Sequence, residues 1–186
     1  MDTNIPLHGY IHITHIFAIV LSGYICVIGN KIYVRRKQKN RMITNIILTI
    51  ILLFYTAVYV YLTFLYRTPM KESHIRTIPF WSYREAFSGW TIQRLSVARS
   101  IFLNILLFIP LGYLLPSLML SFSHRYLFTI IIIISLSIGT EIIQYFTRTG
   151  LCELDDLINN TVGGLLGMAG YVIGDQLISE KRHLKQ

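Results

Sequence analysis

Long apolar stretches are the feature of this sequence that most constrains its fold. A helix of about 20 apolar residues crosses a lipid bilayer, and five segments approach that length: 11–29, 43–65, 97–120, 126–146 and 157–178. Only 14% of the residues are charged, against about 25% in a typical soluble domain. The sequence therefore predicts an all-α fold, a polytopic membrane helix bundle with about five transmembrane helices that form a single domain over residues 1–186.

The basic residues predict how these helices cross the membrane. Lys and Arg number 17 against 9 Asp and Glu, and the loop after the first stretch is short and purely basic, which favours the cytoplasmic side. Alternation then places the N-terminus outside and the C-terminus in the cytoplasm of a multi-pass protein of the cell membrane. No nucleic-acid partner is expected, because the basic residues lie in loops between apolar runs.

Neither a metal nor a cofactor is expected. His8, His12 and His15 share a helical face, but no acidic or thiol partner lies at ligand spacing, and interfacial histidines are the favoured interpretation. Cys26 and Cys152 are expected near opposite faces of the bilayer, too far apart to form a disulfide.

Polar side chains interrupt the apolar stretches, and these are the candidate site residues. Ionised groups cost about 2.5 kcal/mol or more at the bilayer centre. Asn104 and Glu141 each lie about 7–8 Å below the outer end of their helices, at about 1.5 Å per residue. Gln144 shares a helical face with Glu141, while Asp156 and Asn160 begin the last stretch from the same side. The sequence predicts that Asn104, Glu141 and Asn160 converge in one polar pocket in the outer leaflet.

Such a pocket requires a cation that pairs with its carboxylates, and glycines that let its helices approach each other closely. A carboxylate in lipid must be protonated or paired, so Arg67 or Arg99 is expected within ion-pair reach of Glu141 or Asp156. Gly163 continues the stripe of Asp156, and glycines at this spacing let a neighbouring helix approach closely. The simpler alternative is that the polar groups only join helix to helix.

The loop between the second and third stretches is predicted to be an interfacial or re-entrant segment on the outer side. Its aromatic residues suit the membrane–water interface: Phe80, Trp81, Tyr83, Phe87 and Trp90. Ser82 and Glu85 match a capping box, which predicts that a short helix starts there. We expect this loop to cover the polar cluster, with a plain interfacial anchor as the alternative.

At these residues the chain resembles the VanZ-like family of bacterial membrane proteins, over residues 43–174. The matching pieces are Asn104 to Gly112, Glu141 with Gln144, Asp155 to Gly164 continuing to Gly167, and, in the outer loop, Arg67 and Pro79-Phe80. The resemblance implies a protein related to one that lowers susceptibility to the lipoglycopeptide teicoplanin. Glu153 stands where the family pattern has Asp, and Arg76 where it has Asn.

Two functional hypotheses follow. In the first, the pocket binds or alters a component of the cell envelope and reduces antibiotic access. In the second, the protein is a membrane-embedded enzyme that acts on a lipid-linked headgroup, with Glu141 or Asp156 as the catalytic general base. Converging arginines favour the enzyme, but no nucleophile–base pair is visible. A bundle without a site is the third option.

The expected partners are the lipid bilayer and either a lipid-linked cell-wall precursor or a lipoglycopeptide, and the oligomeric state is left open. The candidate binding residues are Arg67, Arg99, Asn104, Glu141, Gln144, Asp155, Asp156 and Asn160.

Overall fold

The computed structural model describes residues 41–89 and 91–183. The first apolar stretch, the three N-terminal histidines and Cys26 lie outside the described residues, so the predictions made for them stay predictions.

Five helices and one pair of short strands make up the described part of the chain. In chain order they are α1 (Arg41–Val60), β1 (Ile75–Arg76), α2 (Trp81–Phe87), α3 (Ile92–Leu118), α4 (Arg125–Thr147), β2 (Cys152–Glu153) and α5 (Leu154–His183). A π-helical turn, Tyr61–Leu65, extends α1. The helical prediction is confirmed, and the parallel pairing of β1 with β2 is an addition that the sequence analysis did not foresee.

Three of these helical segments are long and apolar enough to cross a membrane: Met42–Leu65, Gln93–Leu118 and Arg125–Thr147. They correspond to the second, third and fourth apolar stretches. The fifth stretch lies within α5, which has 30 residues but a polar first turn and recurring glycines that lower its hydropathy. The structure therefore supports a helical protein of the membrane type, while five crossings and their orientation remain predictions.

The apolar residues of the described helices divide into an internal core and an outward face. The buried core joins α1, α3, α4 and α5 through Leu48, Tyr55, Tyr59, Phe108, Leu111, Tyr113, Leu114, Ile133 and Tyr171. Many other large apolar side chains of α1 and α4, such as Leu53, Phe128 and Phe146, are exposed. An exposed apolar surface of this extent is unfavourable in water and suits contact with lipid.

Helices α3 and α5 pack backbone against backbone because glycines face the contact. A Cβ atom added at Gly163 would lie 2.0 Å from the carbonyl oxygen of Ile105, and one added at Gly167 would lie 2.0 Å from that of Ile109. Real Cβ atoms essentially never come within 3.0 Å of another heavy atom. The expectation that this glycine stripe admits a neighbouring helix is confirmed. At Gly170 the nearest atom would be 3.9 Å away, so the close contact ends before that turn.

Candidate functional site

Asp155 is the anchor of the short helix α2, although it lies more than 70 residues further along the chain. Its fully buried carboxylate accepts hydrogen bonds from the backbone N–H of Phe80 at 2.6 Å, the backbone N–H of Ser82 at 2.8 Å and the Ser82 hydroxyl at 2.6 Å. The Tyr83 hydroxyl adds a hydrogen bond to the side-chain carbonyl of Asn159. The first two turns of α5 therefore hold α2 in place.

This arrangement corrects the capping box predicted for the loop. A short helix does form there, but Phe80 precedes it in a left-handed conformation and gives no side-chain cap, while Ser82 lies inside the helix. The Ser82 hydroxyl donates to Asp155, and because Ser82 lies inside the helix its oxygen is not at the N-cap position from which a side chain accepts the first backbone N–H groups.

The strand pair connects the loop between α1 and α3 to α4. Ile75 pairs with Cys152 and Arg76 with Glu153, and the Arg76 guanidinium lies 3.2 Å from the Glu153 carboxylate and 3.7 Å from the centre of the Trp81 ring. The backbone N–H of Glu153 donates to the Glu141 carboxylate at 3.0 Å. One residue of β2 thus fixes the position of Glu141 through its main chain and binds Arg76 through its side chain.

Glu153 is a titratable group of this strand pair. Burial raises the pKa of the Glu153 carboxyl to about 7, the negative charges of Asp156 and Asp155 add to the rise, and the Arg76 guanidinium opposes it. Burial also raises the pKa of the neighbouring Cys152 thiol, which is a free cysteine. The thiol is therefore poorly suited to act as a nucleophile, because the reactive form is the thiolate.

A small cavity between α1, α3, α4 and α5 brings most of the candidate residues together. Its polar lining consists of Tyr59, Thr63, Arg67, Asn104, Thr140, Glu141, Gln144, Asp156 and Asn160, with Leu107 and Phe108 as the apolar part. The cavity measures about 10 Å³, which is the space that one water molecule occupies. The site as it stands therefore accommodates a single small group.

The structure thus places six of the eight candidate binding residues around one cavity. The two outside it are Asp155, which binds α2, and Arg99, which is half-buried on α3. None of the lining residues belongs to α2, so the covering role expected for the outer loop remains a prediction.

The charges around the cavity are two carboxylates and one guanidinium. The positive charge of Arg67 acts on both Glu141 and Asp156, and Asp156 also interacts with the side-chain amide of Asn104. No carboxylate oxygen within the described residues lies at ion-pair distance from Arg67, so its attraction to the two carboxylates acts over a longer distance, and the alternative ion pair with Arg99 stays a prediction. A Cβ added at Gly150 would lie 3.2 Å from Arg67, which places the guanidinium against that turn.

The hydroxyl groups of α1 and α4 form a part of the site that the sequence analysis missed. The Thr140 hydroxyl donates to the Leu136 carbonyl at 2.8 Å, so its only proton is used. The Tyr59 hydroxyl, 2.5 Å from Thr140, must therefore be the donor of that hydrogen bond, and its oxygen keeps a lone pair. Thr63 is 4% exposed, and its hydroxyl makes no hydrogen bond of ordinary geometry among the described residues, although it lies close enough to the Tyr59 hydroxyl to interact with it.

A sequence signal for these residues does exist. Tyr59, Thr63 and Arg67 follow one another at intervals of four, which is the spacing of one helical face. Tyrosine and threonine do not lower the hydropathy of an apolar stretch enough to stand out. The π-helical turn begins two residues after Tyr59, and such turns occur frequently at functional sites.

Asn160 joins the cavity to α4. Its side-chain NH₂ group donates one hydrogen bond to the Ser137 hydroxyl at 3.0 Å, which leaves the second N–H and the side-chain carbonyl of Asn160 for other partners. Within residues 41–89 and 91–183, no group of three or more His, Cys, Asp or Glu side chains is placed to hold a metal ion.

The fold and this site define a class of protein: a helical protein of the membrane type in which buried carboxylates, amides and hydroxyls from four helices enclose a small cavity. The chain belongs to the VanZ/LLP1 family, whose model matches residues 16–175. It is similar to Protein VanZ of Enterococcus faecium, with 33% identity over 79 residues that cover 42% of this chain and 48% of that protein. The matched segment thus spans about half the length of that relative. No solved structure matches the chain.

Proposed function

We propose that this protein acts in the cell membrane, where the cavity binds or alters a component of the cell envelope and lowers susceptibility to lipoglycopeptide antibiotics of the teicoplanin type. The observation that carries the proposal is the convergence of Arg67, Asn104, Glu141, Gln144, Asp156 and Asn160 on one cavity. A bundle without a site would gain little from such a cluster, because buried ionisable groups are costly in a membrane protein.

The size of the cavity narrows the first hypothesis. A volume of about 10 Å³ excludes a whole lipoglycopeptide, since the space fits one water molecule. The antibiotic as a whole therefore does not fit inside the cavity. The protein acts on a small group of an envelope molecule, and the drug loses access as a consequence.

Drug susceptibility tests the proposal directly. Glu141→Gln keeps the shape of the side chain and removes its charge, so a host that expresses this variant should be as susceptible to teicoplanin as a host with an empty vector. Glu72→Gln is the matched control, because Glu72 is an exposed glutamate that does not line the cavity. Membrane levels of the three proteins are compared by immunoblot. Full protection by Glu141→Gln, at equal expression, would refute the proposal.

The membrane-embedded enzyme is the second candidate, and one observation favours it. The cavity has room for one water molecule beside Glu141 and Asp156, and a carboxylate next to a bound water is the arrangement of a general base. Mass spectrometry of lipids and cell-wall precursors from the same strains distinguishes the candidates. A metabolite that accumulates with the native chain and not with Glu141→Gln would support the enzyme, and unchanged metabolites with lost protection would support binding alone.

A further inference from the structure

We infer that the occupant of the cavity is a primary ammonium group, carried by a molecule that places an anionic group against Arg67. This inference rests on the proposed function, because it names the ligand class of the same cavity.

The size of the cavity is the first argument. It has room for one water-sized group, and an ammonium group –NH₃⁺ is of that size. A trimethylammonium group is several times larger and has no N–H donor. The cavity therefore distinguishes primary amines from quaternary ones before any charge is considered.

Charge and hydrogen-bond direction are the second argument. The cavity has two carboxyl groups, those of Glu141 and Asp156, against the single guanidinium of Arg67, so a bound cation would favour the ionised form of the second carboxyl. An ammonium group has three donors and no acceptor, so it needs acceptors. The lone pair of Tyr59, the side-chain carbonyl of Asn160 and the carboxylates provide them.

The Thr63 hydroxyl is an independent sign of a missing partner. It is buried, lines the cavity and makes no hydrogen bond of ordinary geometry with the described residues, although it lies close enough to the Tyr59 hydroxyl to interact with it. A buried hydroxyl without a partner costs about 1–3 kcal/mol. Its oxygen can accept a hydrogen bond from an N–H group and would complete the set of acceptors around a bound ammonium.

Arg67 provides the place for the anionic group. It lines the cavity, yet the residue is exposed and no carboxylate lies at ion-pair distance within the described residues. Its guanidinium is suited to bind a phosphate or carboxylate with two parallel hydrogen bonds. Two kinds of molecule have a primary amine next to such an anion: a lipid with a phosphoethanolamine headgroup, and a free aminophosphate or amino acid in solution.

The experiment measures ligand binding to the purified full-length protein in nanodiscs of phosphatidylglycerol. Phosphatidylethanolamine is added in one arm, phosphatidylcholine in the second and soluble O-phosphoethanolamine in the third, and the thermal unfolding midpoint is recorded. We expect a rise in the midpoint with phosphatidylethanolamine and none with phosphatidylcholine. A rise with the soluble compound as well would identify a free amine as an equal source.

Variants assign the effect to the cavity. Thr63→Val should weaken amine binding about tenfold, the effect of losing one hydrogen bond to a charged group. Thr56→Val is the matched control, because Thr56 is an exposed threonine on the same helix. Asp156→Asn should abolish the rise altogether. If Asp156→Asn fails to fold, the pair of threonine variants decides the question.

Each outcome bears on the inference separately from the proposed function. Equal rises with choline and ethanolamine headgroups, no rise in any arm, or equal binding by Thr63→Val and Thr56→Val would overturn the inference. Lost drug protection in Glu141→Gln would leave the proposed function standing in that case. Selective amine binding together with full drug protection by Glu141→Gln would support the inference about the ligand and refute the proposed function.

Discussion

The glycine contact between α3 and α5 makes a quantitative prediction for Gly163→Ala. The new methyl carbon would lie 2.0 Å from the Ile105 carbonyl oxygen, whereas ordinary carbon–oxygen contacts are about 3.3 Å. The two helices must therefore separate by about 1.3 Å at this turn. The obstacle is backbone, so no side-chain rotation relieves it, and Gly167 maintains the same close approach one turn further on.

The expected cost follows from two opposing effects. Overpacking a well-packed interior costs about 1–3 kcal/mol, and lost Cα–H···O contacts cost about 0.5–1 kcal/mol each. Replacement of a helical glycine by alanine stabilises the helix by up to about 1 kcal/mol, because alanine has the higher helix propensity. The net expectation for Gly163→Ala is a destabilisation of about 1–3 kcal/mol. Gly170→Ala and Gly139→Ala should be neutral or slightly stabilising, because a Cβ at Gly170 has its nearest atom at 3.9 Å and one at Gly139 has nothing within 4 Å.

The assay is reversible unfolding of the purified protein in mixed micelles, followed by circular dichroism across a series of increasing denaturing-detergent concentration. Free energies of unfolding are compared among the three alanine variants. Teicoplanin susceptibility gives a second readout, since Ile105 adjoins Asn104 and a wider gap would move Asn104 away from Asp156. Equal stability of Gly163→Ala and Gly170→Ala would refute the close backbone contact and the placement of α3 that depends on it.

Two further predictions concern the loop between α1 and α3 and its contacts. Asp155→Ala leaves the donors of Phe80 and Ser82 unpaired, at about 1–3 kcal/mol for each buried donor, so hydrogen exchange of residues 81–87 should rise sharply, whereas Glu72→Gln should leave it unchanged. The raised pKa of Glu153, about 7 in the folded chain against 4.5 ordinarily, means that folding favours the protonated carboxyl. This contribution is full below pH of about 4.5 and is lost as the pH rises through about 7, so the unfolding midpoint should fall from pH 5 to pH 8, and the fall should be smaller in Glu153→Gln. An identical pH dependence in that variant would contradict the assignment.

Positions along the helices could be predicted from the sequence because they depend on local arithmetic. Apolar stretches gave the approximate limits of α1, α3 and α4, and the rise per residue placed Asn104, Glu141 and Asn160 at a common level. The structure brings these three side chains to one cavity. The same arithmetic does not tell which way an arginine in a loop turns, and for that reason the sequence could not decide between Arg67 and Arg99 as the partner of the carboxylates.

Contacts between distant parts of the chain could not be predicted in this way. A capping box is a pattern within four residues, so Ser82 and Glu85 matched it although the actual acceptor is Asp155. The pairing of β1 with β2 involves two residues on each side, which is too short for any alternation of apolar and polar residues to appear. Such contacts are decided by the packing of α5 against the rest of the bundle.

The adjacency of Asp155 and Asp156 connects these two halves of the molecule. Successive residues of a helix point about 100° apart, so the first carboxylate reaches α2 while the second reaches the cavity. The next turn repeats the division, with Asn159 bound to Tyr83 and Asn160 bound to Ser137. A shift of α5 that repositions the cavity must therefore strain the attachment of α2, and a change at α2 must act on the cavity through the same two turns.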